Sequence, residues 1–249
     1  MISFDFDSLV LLVRKLNKDV EEIKFTDFKV GSKSDKSPIT KADLHVNSFL
    51  CDFLKNTDCK NIISEENSNI DFEKRRDWQY YWMIDPIDGT KEFINKSTDY
   101  TINIALCHEN NPIFGLVSCP ATNDIYHAYQ GCGAFLNGKK INTSKNINSN
   151  VMRVIASKSH MNAETKDYIE NLKKSYEVSL KNFGSSLKIC KIAEGEADIY
   201  PRFGPTMEWD TCAAHIVLEE AGGKLLNDAG NQLQYNKRNL LNPYFIAKG

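Results

Sequence analysis

Residues 82–94 read WMIDPIDGTKEFI. An apolar run meets an aspartate, Asp85; a proline follows, then a second aspartate, Asp88, and the triplet Gly89, Thr90, Lys91. A carboxylate at the end of an apolar strand loses hydration that only a partner can replace. Two carboxylates in one tight turn repel, which raises one of their pKa values unless a cation lies between them. Hard divalent cations take carboxylate and carbonyl oxygens, and magnesium keeps water and adds substrate phosphate. The stretch therefore reads as a magnesium site built from Asp85, Asp88 and the Ile87 carbonyl. Gly89 lets the backbone come close to a ligand. The N–H groups of Gly89 and Thr90 are then placed to hold phosphate oxygens if a helix begins there, and Lys91 adds positive charge. The pattern predicts metal on the acids, phosphate on the amides and an attacking water between them.

The spacing excludes a neighbouring chemistry. Aspartyl-phosphate hydrolases of the haloacid dehalogenase type carry D-x-D-G-T, with the first aspartate as covalent nucleophile. Aligning the DGT triplets puts Pro86 in that slot, which argues against a covalent aspartyl intermediate and for metal-activated water. The calcium-loop pattern D-x-[DN]-x-[DN]-G is also absent, which argues against a structural calcium site.

Working outward, the 249 residues suffice for one large core or two smaller lobes. A net charge of −2 provides no basic field for nucleic acid. LVLLV (9–13) is too short to span a bilayer, and the acidic start MISFDFDSLV is unlike a secretory signal. Seven cysteines without a CxxC pair read as reduced thiols of a cytosolic protein. The expectation is a cytoplasmic protein, monomer or homodimer, without an integral membrane segment. The amphipathic stripe of residues 6–23 fits a core-facing helix, with a peripheral place on the inner face of the cytoplasmic membrane as the alternative.

Thr40 is placed to cap a helix KADLHVNSFLCDFLK. NIIS (61–64) and YYWMI (80–84) read as short strands, with Glu65 and Asp85 directly after them. Residues 100–130 alternate in antiparallel-meander style. The polar, turn-rich NGKKINTSKN (137–146) marks a lobe boundary. Beyond it strands and helices alternate, ending in a helix WDTCAAHIVLEEAGG (209–223) with Asp210 as its N-cap. The fold class is α/β: an α+β lobe over 1–140 carrying most ligands, and an α/β lobe over 141–249 contributing Asp210.

Five acids thus stand at element ends: Asp43, Glu65, Asp85, Asp88 and Asp210. Taken one at a time, Asp210 could be a cap, Asp43 a first-turn acid and Glu65 part of a solvated loop. Taken together, Asp43, SEEN (64–67), DPIDGT (85–90) and WDTCAA (209–214) resemble the signature of the lithium-sensitive, magnesium-dependent phosphomonoesterases, the inositol monophosphatase and fructose-1,6-bisphosphatase superfamily. The resemblance runs nearly the whole chain and implies a layered αβαβα sandwich. Within that superfamily, DPIDGTKEFI, GSSLKICKIAEGEADIYPRFGPTMEWDTCAA and the ending LLNPYFIA look like the CysQ-type 3′(2′),5′-bisphosphate nucleotidases. Inositol phosphatases typically carry Asn-Phe after DGT, where this chain has Lys91-Glu92-Phe93.

The resemblance implies roles residue by residue. Glu65, Asp85 and the Ile87 carbonyl would hold one Mg2+; Asp85, Asp88 and Asp210 a second; a third, weaker ion would rest on Glu65. Asp43 and Thr90 would orient and deprotonate the attacking water. Asp88, Gly89, Thr90, Lys91 and Asp210 would contact the scissile phosphate. His160, Ser185, Lys188 and Arg202 would meet the nucleotide, its second phosphate needing cations. The implied reaction is hydrolysis of adenosine 3′,5′-bisphosphate to AMP and phosphate in sulfur assimilation. The alternatives are an inositol or sugar monophosphate phosphatase on the same scaffold and, from a different class, a binding protein that has lost catalysis. The second predicts a missing ligand, and none is missing.

Overall fold

Leu9, Val13, Leu16 and Val20 recur at steps of four, three and four, and all are fully buried on α1 (Phe6–Lys24), which Asp5 caps by accepting from the Ser8 N–H at 3.0 Å. The computed structural model describes residues 2–26, 31–32, 38–144, 150–157 and 161–249. A small hairpin pairs β1 (Gly31–Ser32) with β2 (Pro38–Ile39), and α2 (Lys41–Leu54) begins at Thr40 as its sequence requires.

A seven-stranded sheet follows in the order β3 (Ile62–Ser64), β4 (Tyr80–Asp88), β5 (Thr101–His108), β6 (Asn111–Cys119), β7 (Asp124–Tyr129), β8 (Gly133–Leu136) and β9 (Lys139–Ile141). Between β3 and β4 lies the short helix α3 (Phe72–Arg75), and between β4 and β5 the short helix α4 (Thr90–Ile94). The β3–β4 pair is parallel and the rest of the sheet is an antiparallel meander. Both faces are covered, so β4 is apolar on both sides: Trp82 and Ile84 pack under α1 and α2, while Tyr81 and Met83 face the opposite core.

A five-stranded sheet runs in the order β11 (Glu177–Phe183), β10 (Val151–Ser157), β12 (Ile199–Arg202), β14 (Phe245–Lys248) and β13 (Lys224–Asn227). Helix α5 (Ala163–Leu172) covers its outer side. Helices α6 (Leu187–Ala193) and α7 (Cys212–Glu220) fill the space between the two sheets. The layers are therefore α1/α2, seven strands, α6/α7, five strands and α5: the expected αβαβα sandwich. Helix α7 sits so close to β6 that a Cβ on Gly115 would lie 2.2 Å from the Ala213 carbonyl oxygen. All seven cysteines are free and six are buried; Cys107 and Cys212 bring their sulfurs to 3.3 Å between β5 and α7.

Two local expectations are corrected. Strand β4 does not stop before Asp85 but continues through Asp88. Asp210 is not the N-cap of α7: it ends a separate 3-10 turn, Glu208–Asp210, and Thr211 occupies the cap position. The Asp210 carboxylate folds back to accept the Met207 N–H at 2.9 Å, so it serves its own turn rather than the helix.

Candidate active site

The reason for DPID lies in the register of β4. Asp85 pairs with Asn103 and Asp88 with Thr101, so three steps on β4 oppose two on β5. In a regular strand, residues three apart point to opposite faces. The bulge absorbs one step and returns both carboxylates to the same side. Pro86 lies within the bulge, where a missing N–H is tolerated. The next residue to matter, Gly89, adopts φ 90°, ψ 41° at the start of α4. That left-handed conformation favours glycine, and a Cβ there would lie 3.2 Å from the Asp99 carbonyl oxygen.

Asp210 comes across from the second sheet's side to complete the cluster. Asp85, Asp88 and Asp210 each offer a carboxylate oxygen within 4.8 Å of the other two. Asp85 is buried, and its Oδ1 accepts no hydrogen bond among the described residues. Burial, then the neighbouring Glu65, Asp88 and Asp210, push the Asp85 carboxyl well above the ordinary range. Burial likewise raises Asp210, with Asp88 adding to it. Asp88 is pushed up by burial to about 6, held back by Lys188 and by the Ser186 N–H. Crowded, desolvated carboxylates with an orphaned oxygen are what a divalent cation would neutralise, so the donor set fits one.

Glu65 opens the 3-10 turn after β3. Buried Ser64 sets that turn by accepting the Glu66 N–H at 3.2 Å and donating to Asn47 Oδ1 at 2.6 Å. Asp43 is fully buried in the first turn of α2. Its Oδ2 accepts both the Thr40 N–H (2.7 Å) and the Thr40 hydroxyl (2.5 Å). Its Oδ1 faces the Thr90 hydroxyl at 3.4 Å, and that hydroxyl also lies 3.2 Å from the Ile87 carbonyl oxygen. The residues expected to act as a pair are thus brought together from 47 positions apart.

Two cavities meet over these groups. One of about 610 Å³ is lined by Glu65, Asp85, Ile87, Asp88, Thr90 and Asp210. The other, about 240 Å³, shares Glu65, Asp88, Thr90 and Asp210 and extends to Lys91, Ser185, Lys188 and Arg202. Lys188 is buried, its ammonium donating to the Ser185 carbonyl at 2.5 Å; burial lowers its pKa to about 8, although Asp88 opposes this. Arg202 donates to the Pro205 carbonyl at 2.8 Å, while its buried Nε has no partner among the described residues. Two buried cations at one end of a cleft whose other end is acidic suit a ligand with separated anionic groups. Of the predicted site residues, only His160 lies outside the described residues.

Sequence reading missed Ser186 and Asn47. The Ser186 N–H donates to Asp88 Oδ2 at 2.5 Å across 98 positions, and its hydroxyl, 2.8 Å from Thr101 Oγ1, also donates to Asn103 Oδ1 at 2.6 Å. The local signal was the Gly-Ser-Ser before α6, which marks a helix start but not its target.

The sequence matches the inositol monophosphatase family over residues 6–247. The 3′(2′),5′-bisphosphate nucleotidase CysQ of Escherichia coli K12 is 41% identical over 224 residues, covering 87% of each chain. The protein of that name from Haemophilus influenzae is 31% identical and covers 98% of this chain and 92% of its own. The crystal structure of CysQ from Bacteroides thetaiotaomicron aligns with a TM-score of 0.86 at 34% identity, over 98% of both chains. Among the described residues no helix is long and apolar enough to cross a membrane. With the acidic cluster, the layered fold and the matched length agreeing, the chain belongs to the inositol monophosphatase family.

Proposed function

We propose that this chain hydrolyses the 3′-phosphate of adenosine 3′,5′-bisphosphate, releasing AMP and inorganic phosphate, with Mg2+ as cofactor. The observation that carries the reading is the convergence of Asp85, Asp88 and Asp210 within 4.8 Å, beside a cleft that ends in Lys188 and Arg202. The relatives named CysQ supply the nucleotide class.

Glu65, Asp85, Asp88, Asp210 and the Ile87 carbonyl would hold two magnesium ions, with a third resting on Glu65. When bound, such ions neutralise the phosphate's negative charge and lower the pKa of water. Asp43 Oδ1 and the Thr90 hydroxyl orient the attacking water, and Asp43 receives its proton. The N–H groups of Gly89 and Thr90 hold phosphoryl oxygens, and exposed Lys91 adds positive charge at the rim. Ser185, Lys188 and Arg202 hold the nucleotide and its second phosphate, and the same reading assigns His160 to that set. The P–O bond to the 3′ oxygen breaks as the water oxygen bonds to phosphorus, and the 3′ oxygen leaves with a solvent proton. Asp210 belongs to a lobe beginning near residue 141 and the other acids to the lobe before it, so metal binding also ties the lobes. The reaction clears a by-product of sulfate assimilation and sulfonate transfer in the cytoplasm.

Phosphate release tests this. With Mg2+ present, kcat/KM for adenosine 3′,5′-bisphosphate should exceed that for inositol 1-phosphate and fructose 1,6-bisphosphate by about a hundredfold, and EDTA should abolish it. Preference for either rival substrate would move the chain to another branch of the family. Activity that survives EDTA would remove the metal assignment.

A further inference from the structure

The ending LLNPYFIA (240–247) lies outside the acidic cluster, yet its asparagine is buried. The two N–H groups of Asn242 Nδ2 face three acceptors, the Met207 carbonyl (2.7 Å), Thr211 Oγ1 (3.1 Å) and Thr206 Oγ1 (3.2 Å). The Asn242 N–H donates to the Thr206 carbonyl at 2.8 Å. These acceptors flank both sides of the turn Glu208–Asp210. Met207 is shared: its carbonyl takes the Asn242 amide, while its N–H is given to Asp210 Oδ2 at 2.9 Å.

The turn is gripped a second time from below. Glu208 is fully buried, and its carboxylate accepts the Asn236 N–H (2.5 Å), the Lys237 N–H (3.1 Å) and the Lys237 ammonium (2.5 Å). The Glu208 N–H donates to the Leu240 carbonyl at 2.9 Å. Arg75 then ties this loop to the chain that follows the Glu65 turn, donating to Asn236 Oδ1 at 2.6 Å and the Lys237 carbonyl at 2.8 Å. A buried ion pair adds little net stability, because desolvation offsets the attraction. A group held by this many directional bonds is instead fixed in orientation.

We infer that Asn242, over the Glu208–Lys237 pair, is a positioning residue that aims the Asp210 carboxylate at the metal cluster. This rests on the metal assignment of Asp210. Supporting groups of this kind typically account for about 10–100-fold in metal affinity. Mn2+ binding to the full chain, followed by electron paramagnetic resonance and calorimetry, is the test. Asn242→Leu, with a urea midpoint showing that it folds, should weaken the Asp210-dependent Mn2+ by about 10–100-fold. Asp210→Asn should abolish that site, and adding Asn242→Leu to Asp210→Asn should then cost nothing further. Wild-type Mn2+ affinity in folded Asn242→Leu, or an equal loss in both backgrounds, overturns the inference. If Asn242→Leu does not fold, Lys237→Met, which keeps both main-chain donors to Glu208, enters the same cycle with the same criteria. Absence of Mn2+ binding by the wild-type chain defeats the metal reading itself, a separate result that removes the inference with it.

Discussion

Replacing Asp88 with asparagine should stabilise the metal-free protein while disabling the enzyme. The Asp88 carboxyl is pushed from the ordinary 3.8 to about 6, first by burial. The folded state therefore holds this proton more tightly than the unfolded state. Below pH 4 both states are protonated and the group contributes nothing. As pH rises from 4 through 6 the unfolded chain ionises first, so stability falls, and above pH 6 the deficit is complete. The difference corresponds to about 3 kcal/mol, reduced to about 2 kcal/mol because Asp88 as a residue is only partly buried. For a chain of this size that is about 4–8 °C in Tm. In EDTA at pH 8, Asp88→Asn should thus melt above wild type, and the gap should close toward pH 4. With Mg2+ at about a hundred times its Kd, wild type gains about 2.7 kcal/mol and the order reverses. Turnover in Mg2+ should fall by orders of magnitude. Urea and thermal melts across pH, with and without metal, provide the assay. A variant less stable than wild type in EDTA at pH 8, or a gap independent of pH, would refute the reasoning.

Thr90→Ala removes the hydroxyl 3.4 Å from Asp43 and should lower kcat by about 10²–10⁴-fold with Mn2+ affinity nearly unchanged, as calorimetry beside a turnover assay would show. Gly115→Ala forces a methyl to within 2.2 Å of the Ala213 carbonyl oxygen, so it should cost about 1–3 kcal/mol by separating α7 from β6; an unchanged urea midpoint would contradict the packing described.

Much of the site was legible because its residues sit at element ends that local chemistry specifies. Thr40 had to cap α2, and that cap buries Asp43. The apolar run of β4 had to end near two acids. Other features were not legible. Three-residue spacing between Asp85 and Asp88 looks wrong for a shared face until pairing with β5 reveals the bulge. Asp210 fits a helix cap by every local rule, yet it ends a turn of its own, closed by its bond to the Met207 N–H and held from outside by residues 236–242. Ser186 meets Asp88 across 98 positions, a contact no periodicity encodes.

By itself the sequence determined the order of elements, the buried stripes and the supply of carboxylates, because backbone preference and side-chain period act over a few residues. Only the tertiary structure decided which carboxylates share one point, which oxygen is left unpartnered among the described residues and what holds each in place. Those are consequences of two sheets packing on α6 and α7, and packing is set by surfaces far apart along the chain.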